Sequence, residues 1–236
     1  MKIAVCEDEK IVAEELAEKI REFMKLTYFD FSIDIFLTGE DFRKSPEIYD
    51  LLFLDCRLPD ANGLTIAKEL RARDIDTAIV FVTAFPEYVY ESFEVQPFRY
   101  MIKPIEETVL RKALIGFVRA YEKERHISIP TSRKNHIVNL QDIVYIESDG
   151  KYSNVCLKNN LSYKSMKSIS DYNTEVEIDC HSFFRTHRCY LVNMKYIDEV
   201  QGNIIIFVNG EKAEISRRKV SEFHKRYTNY LKYFAK

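Results

Sequence analysis

The chain has 236 residues, 46% of them hydrophobic and 31% charged, with a formal net charge of −2. This composition suits a folded globular protein and excludes collagen-like, disordered and cysteine-dense scaffolds. No apolar run reaches the roughly 18 residues of a spanning helix, and Cys6, Cys56, Cys156, Cys180 and Cys189 contain no C-x-x-C pair. They are therefore expected to be free thiols in a reducing compartment, the cytoplasm.

The first half alternates strands with helices. Ile3–Cys6 is short and apolar, and Ile11 to Met24 has helical periodicity. Ser32–Phe36 alternates like a strand with one exposed face. Leu51–Leu54 and Ala78–Val82 are continuous apolar runs, as central parallel strands require. Leu64–Arg73 reads as a helix after Asn62-Gly63, Arg99–Ile102 as a fifth strand, and Ile105–Lys123 as an amphipathic helix. Five strands with intervening helices predict an α/β, doubly wound, five-stranded parallel sheet over residues 1–122.

The charged run Glu122-Lys123-Glu124-Arg125 marks a change of pattern and is expected to be a linker, placed at residues 123–127, or the frayed end of the fifth helix. Residues 128–236 are rich in short strands: Ile137–Leu140, Ile143–Ile146, Ser153–Leu157, Leu161–Lys164, Tyr196–Val200, Ile204–Val208 and Lys212–Ile215. Asp149-Gly150, Asn159-Asn160, Gly202-Asn203 and Asn209-Gly210 separate them and suit tight hairpins. Arg217–Tyr230 is expected to be a closing helix. The halves differ in charge: residues 1–125 hold 18 lysines and arginines against 25 aspartates and glutamates, and the remainder 17 against 12. An acidic half suits metal chemistry, and a basic half suits a polyanion.

Three charged signals follow strand-like runs: Glu7-Asp8, Asp55 and Lys103-Pro104. A parallel sheet would bring these strand ends to one ligand-binding edge. A carboxylate there can act as a nucleophile and form an acyl phosphate, with a hard, oxygen-liganded cation neutralising charge. Asp8 and Asp55 offer oxygens, Glu7 helps directly or through water, and the backbone carbonyl of Arg57 lies two residues past Asp55. Lys103 would meet a phosphoryl oxygen, Thr83 offers a hydroxyl, and small Ala84 leaves room.

Glu7-Asp8, Asp55 with Leu58-Pro59, Asn62-Gly63, Thr83-Ala84 and Lys103-Pro104, in that order, resemble the receiver domain of bacterial two-component response regulators. The resemblance implies Mg2+, phosphorylation of Asp55 by a sensor histidine kinase, and Thr83 and Tyr100 as a switch pair. The chain would then be a phosphoacceptor that catalyses only its own phosphoryl transfer and slow dephosphorylation. Glu7 departs from the aspartate more common there.

In the second half, Phe183–Asn193, Ile143–Tyr152 and Ile215–Arg218 resemble the LytTR DNA-binding domain. The resemblance implies a mainly-β fold that places loops in successive major grooves; on activation two receivers are expected to pair into a homodimer. Its contact loops map onto Lys151, Ser153 and Asn154, onto His187 and Arg188, and onto Arg217, Arg218 and Lys219. Arginine can read guanine with its fork and asparagine can read adenine, while lysine, serine and tyrosine position the phosphate backbone. Arg188 and Arg218 are the expected base readers. Cys180-His181 and His187-x-Cys189 fit no common zinc finger, and Asn193 is expected to bond its own turn.

A rival class is a phosphatase with an aspartyl intermediate, which usually carries an acid two residues after the nucleophile; here that residue is Arg57. A third reading makes the basic half an RNA- or protein-binding module, separable by its preference for duplex DNA.

Overall fold

The computed structural model describes residues 1–27 and 29–235, with backbone only for 177–179. It divides into two compact units, Met1–Phe117 and Val118–Lys236. Among the described residues, no helix is long and apolar enough to cross a membrane.

The first unit carries β1 (Lys2–Cys6), β2 (Ser32–Phe36), β3 (Leu51–Leu54), β4 (Ala78–Thr83) and β5 (Arg99–Ile102), all parallel in the order β2-β1-β3-β4-β5. Every residue of β3 is buried, which explains its uninterrupted apolar run, because helices cover both faces of such a strand. Around the sheet run α1 (Lys10–Met24), α2 (Gly39–Lys44), α3 (Gly63–Ala72) and α4 (Val89–Ser92). The division between the units falls inside α5 (Glu107–Lys123).

Short α2 lacks a legible apolar stripe, so its signal is in its caps. Thr38 accepts from the Asp41 amide, and the Asp60 carboxylate accepts from the Gly39 and Glu40 amides at 2.8 and 2.7 Å. Asp60 thereby ties the loop after β3 to the start of α2. The Pro86–Val95 segment holds α4 between two 3-10 turns, Pro86–Tyr88 and Phe93–Val95, and exposes Tyr90 and Phe93.

In the second unit, β6 (His126–Pro130) pairs with β7 (Asn135–Asn139). A five-stranded antiparallel sheet has the order β10-β9-β8-β12-β11, from β8 (Ile143–Asp149), β9 (Tyr152–Leu157), β10 (Ser162–Ser165), β11 (Phe183–His187) and β12 (Tyr190–Asn193). A three-stranded meander follows: β13 (Ile197–Gln201), β14 (Ile204–Phe207) and β15 (Lys212–Glu214). Gly150, Asn160, Gly202 and Gly210 take positive φ angles of 64°, 61°, 61° and 82°, as the hairpin dipeptides require.

Two helices complete this unit. α6 (Ile169–Asp179) was not expected from hydrophobic periodicity; its signal is the Ser168/Asp171 capping box. It packs Ile169, fully buried Tyr172 and Val176 against Ile146, Val155 and Leu191. The expected closing helix is a 3-10 turn, Arg217–Lys219, leading into α7 (Val220–Tyr233).

The expected linker differs from the structure. Lys123 ends α5, and His126 and Ile127 already belong to β6, with Ile127 2% exposed. Glu122, which opens the charged run, is only 3% exposed; its carboxylate accepts from the His181 amide at 2.5 Å and meets the His181 ring. Burial against a partner 59 positions away leaves no local sequence signal.

Candidate functional site

The carboxyl ends of β1, β3 and β5 converge because hydrogen bonds continue past the strands. The Asp55 amide donates to Cys6 O at 3.0 Å, the Glu7 amide to Phe36 O at 3.0 Å, and the Lys103 amide to Thr83 O at 2.9 Å. Ligand oxygens of Glu7, Asp8 and Asp55 consequently lie within 4.8 Å of one another. Glu7 and Asp55 are buried, whereas Asp8 is exposed.

Lys103 serves two of these acids. Its Nζ stands 2.7 Å from Asp55 Oδ2 and 2.5 Å from Glu7 Oε2. Burial works against its charge, but Asp55 and Glu7 outweigh that and hold its pKa above the ordinary lysine value. Burial raises the Glu7 pKa, with Lys103 opposing the shift. Glu7 Oε1 is buried without a hydrogen-bond partner among the described residues.

The loop after β3 is tightly built. Asp55 Oδ1 accepts from the Arg57 amide at 3.1 Å, Gly63 N donates to Cys56 O at 2.9 Å, and Asn62 caps α3 by accepting from Leu64 N. A Cβ on Gly63 would stand 2.1 Å from Asp55 O. The Asn62-Gly63 signal thus marks a close approach of backbone to backbone.

Thr83 is fully buried at the end of β4, and its hydroxyl accepts from Phe85 N at 3.4 Å. Tyr100, on the neighbouring strand, donates its hydroxyl to Phe85 O at 2.7 Å and packs against the core. Both expected switch residues therefore meet at Phe85. Sequence reasoning missed Phe85 itself and the Arg57 guanidinium, which stacks 3.6 Å from the centre of the Phe85 ring; only the fold brings these two together.

The basic clusters of the second unit lie along one end of its five-stranded sheet. The β8–β9 turn carries exposed Lys151, and the β11–β12 turn carries half-buried His187 and exposed Arg188. Ser148 N donates to Cys189 O at 2.9 Å, joining the two turns. Arg217 and Arg218 are exposed beside β11, where Ser216 N donates to Thr186 O at 2.9 Å.

Three expected contacts stand differently. Ser153 is fully buried and donates to Lys167 O at 2.5 Å, because the strand alternation of β9 turns it inward. Asn154 faces the opposite side, along an open cleft of about 500 Å³ that also holds Glu147 and Glu211. Lys219 donates to Arg185 O at 2.8 Å. Asn193 is structural as expected: fully buried, it accepts from Lys195 N and donates to Ile143 O.

A family model of the response regulator receiver domain matches residues 3–115, and one of the LytTR DNA-binding domain matches residues 133–228. The sensory transduction protein LytT of Bacillus subtilis is 30% identical over 198 residues, covering 75% of this chain and 78% of the relative. The chain belongs to the LytTR response regulators. The transcriptional regulatory protein YpdB of Escherichia coli is 28% identical over 246 residues, covering 94% of this chain and 98% of its own. The response regulatory domain of protein mrkE from Klebsiella pneumoniae aligns with 52% of this chain and 100% of its own, at 30% identity and a TM-score of 0.48.

In this LytTR response regulator the receiver edge fits a hard divalent cation. Three carboxylates offer oxygen donors, and the orphaned Glu7 Oε1 is a buried oxygen whose desolvation a cation would offset.

Proposed function

We propose that this regulator accepts a phosphoryl group on Asp55 from a sensor histidine kinase, pairs with a second copy, and binds duplex DNA sequence-specifically to control transcription in the cytoplasm. The observation that carries the reading is the Lys103 ammonium, 2.7 Å from a buried Asp55 carboxylate at an edge also lined by Glu7 and Asp8.

An Asp55 oxygen attacks the phosphorus of a phosphohistidine. The new O–P bond forms as the P–N bond breaks, and the departing imidazole keeps the bonding electron pair. Mg2+, held by Glu7, Asp8, Asp55 and the Arg57 carbonyl, would neutralise phosphoryl charge. Lys103 provides a fixed positive charge for a phosphoryl oxygen, and electrostatic stabilisation of this kind is the larger part of phosphoryl-transfer catalysis.

The Thr83 hydroxyl can turn to the phosphoryl group, giving up the Phe85 amide. Tyr100 holds the carbonyl of the same Phe85, so the segment carrying exposed Tyr90 and Phe93 registers the change. Pairing would raise DNA affinity through effective concentration and place two LytTR domains on sites spaced by about one or two helical turns. Arg57 supports a phosphoacceptor over a turnover phosphatase, since a guanidinium stacked on Phe85 has no proton to give at neutral pH.

The test is incubation of the full chain with acetyl phosphate and Mg2+, read by intact mass and sedimentation. Wild type should gain one phosphoryl group and dimerise, and Asp55→Asn should do neither. Equal phosphorylation and dimerisation of Asp55→Asn would overturn the reading.

A further inference from the structure

Arg185 lies on β11, between the two clusters that carry the expected base readers, and takes no part in the site described above. Its Nη2 donates to Arg188 O at 3.2 Å, and its Nη1 donates to Ser170 Oγ at 3.3 Å near the start of α6. Its own carbonyl accepts from Lys219 Nζ at 2.8 Å. Lys219 also stands 5.3 Å from the centre of the buried Phe184 ring.

A β-bulge makes this possible. The pairing of β11 with β12 shifts between Phe184 and His187. Consecutive carbonyls of a regular strand point to opposite edges. Here Arg185 O and Thr186 O both accept from the Ser216–Lys219 segment, one from Lys219 Nζ and the other from Ser216 N. Bulges commonly re-aim side chains in this way.

We infer that Arg185 and Lys219 are positioning residues for DNA readout, which lock the Arg188 turn and the Arg217-Arg218 turn into one rigid reading surface while touching no DNA themselves. The inference rests on the DNA-binding reading above and assigns Lys219 a different role from the DNA contact its resemblance implies. Arg185 spends its guanidinium on the carbonyl of the reader Arg188, and Lys219 spends its ammonium on the carbonyl of Arg185. Base discrimination needs the reading groups held within a fraction of an ångström, whereas phosphate attraction tolerates looseness. Loss of either strut should therefore cost specificity before it costs charge-driven affinity.

The experiment uses the full chain and a duplex selected from a random library by the wild-type protein. Affinity for that duplex, and for a scrambled duplex of equal length and composition, is measured across a salt series for wild type, Arg185→Lys, Arg185→Gln and Lys219→Met. Each variant should lower the ratio of selected to scrambled affinity by about tenfold or more, the scale of one lost bidentate base contact. The salt dependence of scrambled-duplex binding should stay at the wild-type slope.

A slope lower by about one in Arg185→Gln or Lys219→Met would mean a phosphate contact and would overturn the inference. An unchanged ratio would also overturn it. Thermal unfolding guards against simple misfolding, and Arg185→Lys keeps the charge if the glutamine variant melts early. Absence of sequence preference in wild type would instead remove the DNA-binding reading, and this inference with it.

Discussion

Lys103 Nζ and Asp55 Oδ2 lie 2.7 Å apart, although their residues are 48 positions apart and follow strands β5 and β3, which β4 separates. The same ammonium reaches Glu7 Oε2, so one cation balances two buried acids. Lys103→Met removes it. Phosphoryl uptake from acetyl phosphate is expected to slow about a hundredfold, the usual cost of one stabilising donor. A rate within twofold of wild type would show that Lys103 takes no part in transfer.

Glu7 carries the opposite imbalance. Its folded pKa is raised above the ordinary glutamate value, chiefly by burial. Stability from such a group is full below the unfolded pKa and is lost as pH rises through the folded one. At neutral pH the charged form therefore weighs against folding. Glu7→Gln should raise the metal-free melting temperature while weakening divalent-cation binding. Chelator should lower the wild-type melting temperature toward its metal-free value and leave the variant nearly unmoved. Calorimetry with and without Mg2+ reads both effects.

Gly63 cannot accept a side chain. The added Cβ would meet Asp55 O at 2.1 Å and Cys56 Cα at 3.1 Å, both backbone atoms that cannot swing aside. Gly63→Ala should cost about 3 kcal/mol and slow phosphorylation by displacing Asp55. Denaturant unfolding checks the first effect, and acetyl phosphate labelling the second. Wild-type values for both would mean that the loop relaxes freely.

The buried thiols predict a pattern of reactivity. Burial pushes Cys6 up to about 12 and Cys56 to about 11, and holds Cys180 well above its ordinary value. Thiolate is the reactive form. In the native protein at pH 8, a maleimide should label half-buried Cys156 and Cys189 first, and the other three only on unfolding. The shifts also set an alkaline limit. Stability is full below the unfolded thiol pKa near 9 and falls as pH rises toward 11–12. Mass mapping of labelled peptides and melting curves from pH 8 to 11 test both statements.

How much was legible depends on whether the signal was local. The central parallel strands announced themselves because burial on both faces demands unbroken apolar runs, as in Leu51–Leu54, whereas the edge strand Ser32–Phe36 was read from its alternation. Four hairpins were equally legible, since Gly150, Asn160, Gly202 and Gly210 mark positive φ angles, whereas the β6–β7 and β11–β12 hairpins carry no such mark and were missed. The convergence of Glu7, Asp8, Asp55 and Lys103 followed from strand ends and parallel topology alone. α6 was missed because its evidence lay in a cap rather than in periodicity.

What only the tertiary structure decided are contacts between residues far apart in sequence. Alternation along β9 buried Ser153 while leaving Asn154 beside Glu147 and Glu211. Glu122 left its charged run for His181, and Arg57 found the Phe85 ring. Beside the irregular pairing of β11, Arg185 donates to Arg188 O and Lys219 to Arg185 O. The amino-acid sequence by itself determined which chemistry stands at each strand end, because strand runs, turn glycines and caps are local and periodic. Which polar groups that chemistry faces depends on chain segments meeting in space, where burial requires each donor and acceptor to find a partner.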